Sequence, residues 1–119
     1  MPNATGFVVS TLDDAAVVTA RGEIDSATAP QFRLALDAAA ECGRSVLMVD
    51  MAKVGFIDSA GLAVVVRLRR HLPVQQHLVL ARVPARMRRM LEVAAVDVLV
   101  DVHTEGDPWP WPEVPQPTD

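Results

Sequence analysis

Four consecutive residues, Asp58-Ser59-Ala60-Gly61, combine an acid, a hydroxyl and two side chains too small to hinder access to it. An apolar run ends at Asp58 and a helical pattern starts at once, so the hydroxyl stands where a strand hands over to a helix. Ser and Asp are favoured there because their oxygens accept from the free N–H groups of the first turn. Ser59 is therefore either a helix cap or an alcohol presented to another enzyme. As a nucleophile of its own it lacks an evident His or Lys base. The chain has no Gly-rich phosphate loop, no His-Glu-x-x-His and no Gly-x-Ser-x-Gly elbow. His71, His77 and His103 are scattered, with no carboxylate at ligand spacing. No catalytic and no metal-binding residue is expected, and the hydroxyl reads as a substrate.

The elements that must position it follow from periodicity. Residues 6–10 read as a short edge strand, Asp13-Asp14 as a turn, and Ala15 to Arg21 as a second strand carried by Gly22-Glu23-Ile24-Asp25 to its carboxyl end. A helix is expected from about Thr28, with Pro30 in its first turn, Phe32, Ala35, Leu36 and Ala39 on one face, and Gly43 as its stop. Ser45 to Met51 reads as a strand buried on both faces, followed by a loop and a helix from Ser59 to Leu72. Val64-Val65-Val66 would suit a strand, but Leu62, Val65, Leu68 and Leu72 share one helical face, with Arg67, Arg70 and His71 opposite. His77 to Val83 is a further strand, Pro84 opens a helix with Met87, Met90, Leu91 and Ala94 inward, and Val98 to Val102 suits a last strand. The order β-β-α-β-α-β-α-(β) implies a single α/β domain on a mixed, mostly parallel sheet of four to five strands. Functional loops of such sheets gather beyond the carboxyl ends of strands, which is where Asp25 and Ser59 fall.

Composition narrows the function. The net charge of −4 resides in residues 104–119, which hold Glu105, Asp107, Glu113 and Asp119 and no base. The remainder, 1–103, is neutral and gives no electrostatic reason to expect nucleic acid or an anionic membrane as partner. No apolar run approaches the length of a membrane span, no secretory pattern opens the chain, and Cys42 is alone, so a cytoplasmic protein is expected. Residues 1–103 are read as the folded domain. Residues 104–119, with five of the nine prolines and both tryptophans, are read as an acidic tail, disordered or extended.

Read together, Gly22-Glu23-Ile24-Asp25 and Val49-Asp50-Met51 with Phe56-Ile57-Asp58-Ser59-Ala60-Gly61-Leu62 resemble the STAS domain, and within it the anti-sigma factor antagonists of bacteria, over about residues 6–102. Ala52 departs from the family pattern, where Ser or Thr is common, and the tail has no counterpart in it. The resemblance implies helices packed mainly on one face of the sheet, and phosphorylation of Ser59 by a partner that is both anti-sigma factor and serine kinase. The unphosphorylated form would bind that partner and free the sigma factor, which is affected only indirectly. Phosphorylation would end the binding, and a metal-dependent serine phosphatase would reset it. ATP and Mg belong to the kinase, so the protein needs no cofactor of its own and is not an enzyme. Asp25, Asp58, Ala60 and Gly61 become the neighbours of the phosphorylated serine, with Gly61 and Ala60 leaving room for a kinase cleft. Glu23, Ser26, Ala63, Val66, Arg67 and Arg70 become the partner surface.

A second reading keeps the fold without the switch, as a scaffold or ligand-sensing subunit of a signalling or lipid-transport complex. A third likeness, to receiver domains, would make Asp50 the phospho-acceptor. It fails because Asp13-Asp14 precede a strand instead of following one and the only lysine, Lys53, is misplaced.

Overall fold

The computed structural model describes residues 4–118. Val- and Thr-rich stretches pair first: β1 (Gly6–Leu12) and β2 (Ala15–Ile24) form an antiparallel hairpin. Asp13 takes the left-handed conformation at its turn, φ 50°, which Asp tolerates better than most residues. The chain then alternates through α1 (Ala29–Glu41), β3 (Val46–Ile57), α2 (Ser59–His71), β4 (His77–Val83), α3 (Ala85–Val93), a single turn α4 (Val96–Leu99) and β5 (Asp101–Thr104). Pro30 occupies the first turn of α1 and Gly43, at φ 68°, follows its end.

The sheet runs β1-β2-β3-β4-β5, parallel from β2 onward. The strands thus advance in one direction across the sheet. Right-handed crossovers that all step the same way place every helix on the same face. Phe32 and Leu36 of α1, Leu62, Val65 and Leu68 of α2, and Met87 and Leu91 of α3 are accordingly buried with Val18, Leu47, Val49 and Leu80 in one core.

Three expectations are corrected. β3 does not end at Met51 with a loop to follow; it continues to Ile57, because β2 takes it up residue by residue through Arg21↔Lys53 and Ile24↔Ile57. Register shifts at Thr19/Arg21 and Gly22/Glu23 bring the two strands out level. Val98 to Val102 is not one strand: Ala95 turns left-handed at φ 59°, Val96–Leu99 form a helical turn, and β5 starts only at Asp101. Thr104, read as the start of the tail, closes β5 opposite Val83.

The face without helices is covered as well. Ala15, Val17, Val46, Met48, Val79 and Ala81 form a second buried cluster, on which Trp109, Trp111 and Val114 pack. The acidic tail therefore lies along the sheet in turns and extended backbone, without a helix or strand of its own after Thr104 among the described residues.

Candidate functional site

The carboxyl ends of β2 and β3 are neighbours, and the Asp58 N–H donates to Ile24 O at 3.0 Å. This join places the Glu23–Asp25 and Asp58–Gly61 segments on one rim, an adjacency the sequence could only suggest. Asp58 is the cap: its Oδ1 accepts from Ala60 N at 2.9 Å and Gly61 N at 3.3 Å. Ser59 is the first residue of α2, exposed, and its hydroxyl makes no hydrogen bond among the described residues.

Gly61 has a different role from the one expected of it. It is buried, and a Cβ there would stand 2.7 Å from Ile24 Cγ2 and 2.7 Å from Ile57 Cγ1. Its missing side chain lets α2 seat on the strand ends; it does not open the approach to Ser59. Ala60, partly buried, does flank the hydroxyl.

Asp25 is held rather than free. Its Oδ1 accepts from Ala27 N at 3.0 Å and Thr28 N at 3.1 Å, fixing the turn into α1. The Thr28 hydroxyl donates to Glu23 O at 2.8 Å and accepts from Asp25 N at 3.0 Å. Glu23 is exposed, and its N–H donates to Thr5 Oγ1 at 3.0 Å. Gly22 permits this contact, since at φ 87° it would carry a Cβ only 2.6 Å from Thr5 Cα.

The expected partner surface divides. Ser26, Ala63 and Arg70 are exposed, whereas Val66 packs partly against the core. Arg67 does not stand open; it reaches Asp37 of α1 at 3.4 Å. Sequence reasoning missed the groove between α1 and α2, about 560 Å³, lined by Ser26, Pro30, Leu34, Asp37, Ala60 and Val64. Leu34 is 68% exposed. The signal was available: Leu34 is an apolar residue off the inward face set by Phe32, Leu36 and Ala39.

Asp50 lies away from this rim. It alternates with Met48 onto the tail-covered face and is buried against Arg82, with Nε–Oδ1 at 3.0 Å and Nη2–Oδ2 at 2.6 Å. A carboxylate so engaged is a structural ion.

The chain is similar to known proteins along most of its length. Residues 7–101 match the family model described as Mlab, STAS domain. An anti-sigma-B factor antagonist of Listeria monocytogenes is 33% identical over 88 residues, 72% of this chain and 77% of that protein. The crystal structure of an anti-sigma factor antagonist from Mycobacterium paratuberculosis superposes with a TM-score of 0.79 at 24% identity, covering 87% of this chain and 88% of the other. The anti-sigma factor antagonist SpoIIAA, solved unphosphorylated, gives a TM-score of 0.66 at 19% identity over 84% of this chain and 90% of its own. Its phosphorylated form, from Bacillus, gives 0.62 at 21% over 84% and 93%. At these identities the structural likeness is one of fold.

Proposed function

The chain belongs to the STAS domain family, and from that premise we propose that it is an anti-sigma factor antagonist whose partner binding is set by phosphorylation of Ser59. The observation that carries this reading is the Ser59 hydroxyl: exposed, without a hydrogen bond among the described residues, and held at the start of α2 by the Asp58 cap beside it. The relatives named above, as anti-sigma factor antagonists, support the class of partner. That SpoIIAA has this fold in a phosphorylated form supports a switch that leaves its owner folded.

The partner is an anti-sigma factor with serine kinase activity, which supplies ATP and Mg. A metal-dependent serine phosphatase removes the phosphate, and the cycle runs in the cytoplasm with the sigma factor affected indirectly. The protein itself acts by binding and performs no catalysis. Glu23, Ser26, Ala63 and Arg70, with the groove edge at Leu34 and Ala60, form the surface that meets the kinase.

Phosphate adds about −1.5 to −2 charge. A helix N-terminus normally receives such charge on its free N–H groups. Here Asp58 already occupies those of Ala60 and Gly61. The new charge therefore enters a rim that carries Asp58, Asp25 and Glu23, and burial against a partner would desolvate all of it. A penalty of about 3 kcal/mol corresponds to more than a hundredfold in affinity.

The test is intact-mass measurement after incubation with the cognate kinase and ATP. The native chain should gain one phosphate and Ser59→Ala none; equal labelling of the variant would remove the proposal. Ser59→Asp should weaken kinase binding in titration calorimetry by tenfold or more, and undiminished affinity would refute the charge mechanism.

A further inference from the structure

The sheet face opposite the helices has no part in the Ser59 rim, yet it is finished with care. Its floor is shallow, with Ala15 and Ala81 among Val17, Val46, Met48 and Val79. Onto this floor the Trp-Pro-Trp-Pro segment lays two indole rings, the only tryptophans in the chain. The rings are set by edge contacts: His103 to Trp109 at 4.8 Å, His103 to Trp111 at 6.4 Å and Trp109 to Trp111 at 5.0 Å between centroids.

The segment is also braced within itself. Trp109 Nε1 donates to Val114 O at 2.9 Å, and Val114 N donates to Trp111 O at 3.1 Å. His103, buried at the end of β5, joins it to the sheet through Nε2 and Asp107 O at 2.9 Å. Beyond Glu105, whose N–H donates to Val83 O at 2.8 Å, the described residues add no strand to the sheet, so segment 107–117 is seated by its rings and methyl groups on a face already hydrogen-bonded without it. Proline fixes φ on either side of each ring, which lowers the entropy lost on docking.

We infer that the second sheet face is a peptide-docking surface, filled in this chain by its own segment 107–117 as an exchangeable occupant. A pre-ordered ligand that contributes side chains without extending the ladder can leave without dismantling the strands beneath it. The occupant it selects is an extended Pro-rich stretch with two tryptophans one residue apart, and the occupant supplied is the one tethered beside it. A short tether presents its segment at about millimolar effective concentration, so the same segment from solution competes poorly while the tether is docked.

The experiment uses the full chain with Trp109→Ala and Trp111→Ala together, which leaves it free of tryptophan. A peptide of residues 104–119, labelled with fluorescein for anisotropy and unlabelled for indole emission, is titrated with that variant and with the native chain. The variant should bind the peptide saturably, with a blue shift of the indole emission and several-fold less acrylamide quenching. The native chain should bind at least tenfold more weakly. Equal binding by both chains, or none by a variant whose circular dichroism remains native, would overturn the inference. Loss of the helical signal in the double variant would overturn it too, since the tail would then be core. In that event Trp109→Phe with Trp111→Phe must restore the fold for the seat to be credited to the rings at all.

Discussion

Gly61 sets two elementary rules against each other. Helix propensity favours Ala over Gly by about 1 kcal/mol in a helix interior. Packing opposes it, because the added methyl would meet Ile24 and Ile57 at 2.7 Å, and forced overpacking costs about 1–3 kcal/mol. Packing should win: Gly61→Ala is expected to lower the unfolding free energy by about 1 kcal/mol in urea titration, and a stabilised variant would show that the strand ends yield. Asp58→Ala should remove the cap and cost about 1 kcal/mol. Ser59→Ala, at an exposed position with no hydrogen bond to lose among the described residues, should stay within about 0.5 kcal/mol of native. The sequence showed that an Asp and a Ser compete for one cap. It could not show which side chain turns inward, and that choice decides which remains available to an enzyme. Nor did it reveal why position 61 is Gly, since the contacts come from β2 and β3 ends that are 37 and 4 residues away in the chain.

At the level of elements, apolar periodicity located α1 to α3 and the cores of β1 to β4; it read the end of the turn Val96–Leu99 as strand, and it failed where pairing overrides composition. Lys53 and Gly55 interrupt the apolar pattern of β3, yet β2 holds that stretch in the sheet through Ile57. The Asp50–Arg82 pair was equally hidden. Its partners lie 32 residues apart and meet only because β3 and β4 align Asp50 with Ala81, while Arg82 turns left-handed at φ 53°. Both side chains are largely withdrawn from solvent, at 6% and 18% exposure. Removing one partner of a buried pair leaves an uncompensated charge and costs about 3–5 kcal/mol, whereas replacing both can be neutral. Asp50→Ala is therefore expected to lose about 3 kcal/mol, and Asp50→Ala with Arg82→Met to recover more than half of it. Thermal denaturation of the two variants checks this. Additive losses would mean that Arg82 contributes chiefly through its contacts outside the pair.

For the whole molecule, the order in which the strands are laid down explains the two-sided construction. A sheet extended always in one direction collects its helices on one face and leaves the other to be covered by whatever chain remains. Composition marked residues 104–119 as acidic and Pro-rich, without a helical or strand period; it did not show that two rings would find a floor made by Ala15 and Ala81. The Ser59 rim and the tail seat are thus built on opposite sides of one rigid sheet, which predicts that they respond separately. Truncating both half-buried rings, Trp109→Ala with Trp111→Ala, should lower stability by about 2 kcal/mol, on the order of 8 °C in Tm. The rate of Ser59 phosphorylation by the kinase, measured well below that Tm, should stay within about twofold of native, because neither the Asp58 cap nor the α1–α2 groove touches the tail cluster. Conversely, Ser59→Asp should alter kinase affinity with little change in Tm and none in indole emission. A phosphorylation rate that fell as the tail was loosened would mean that the sheet transmits strain between its faces. The tail would then have to be counted among the determinants of partner choice.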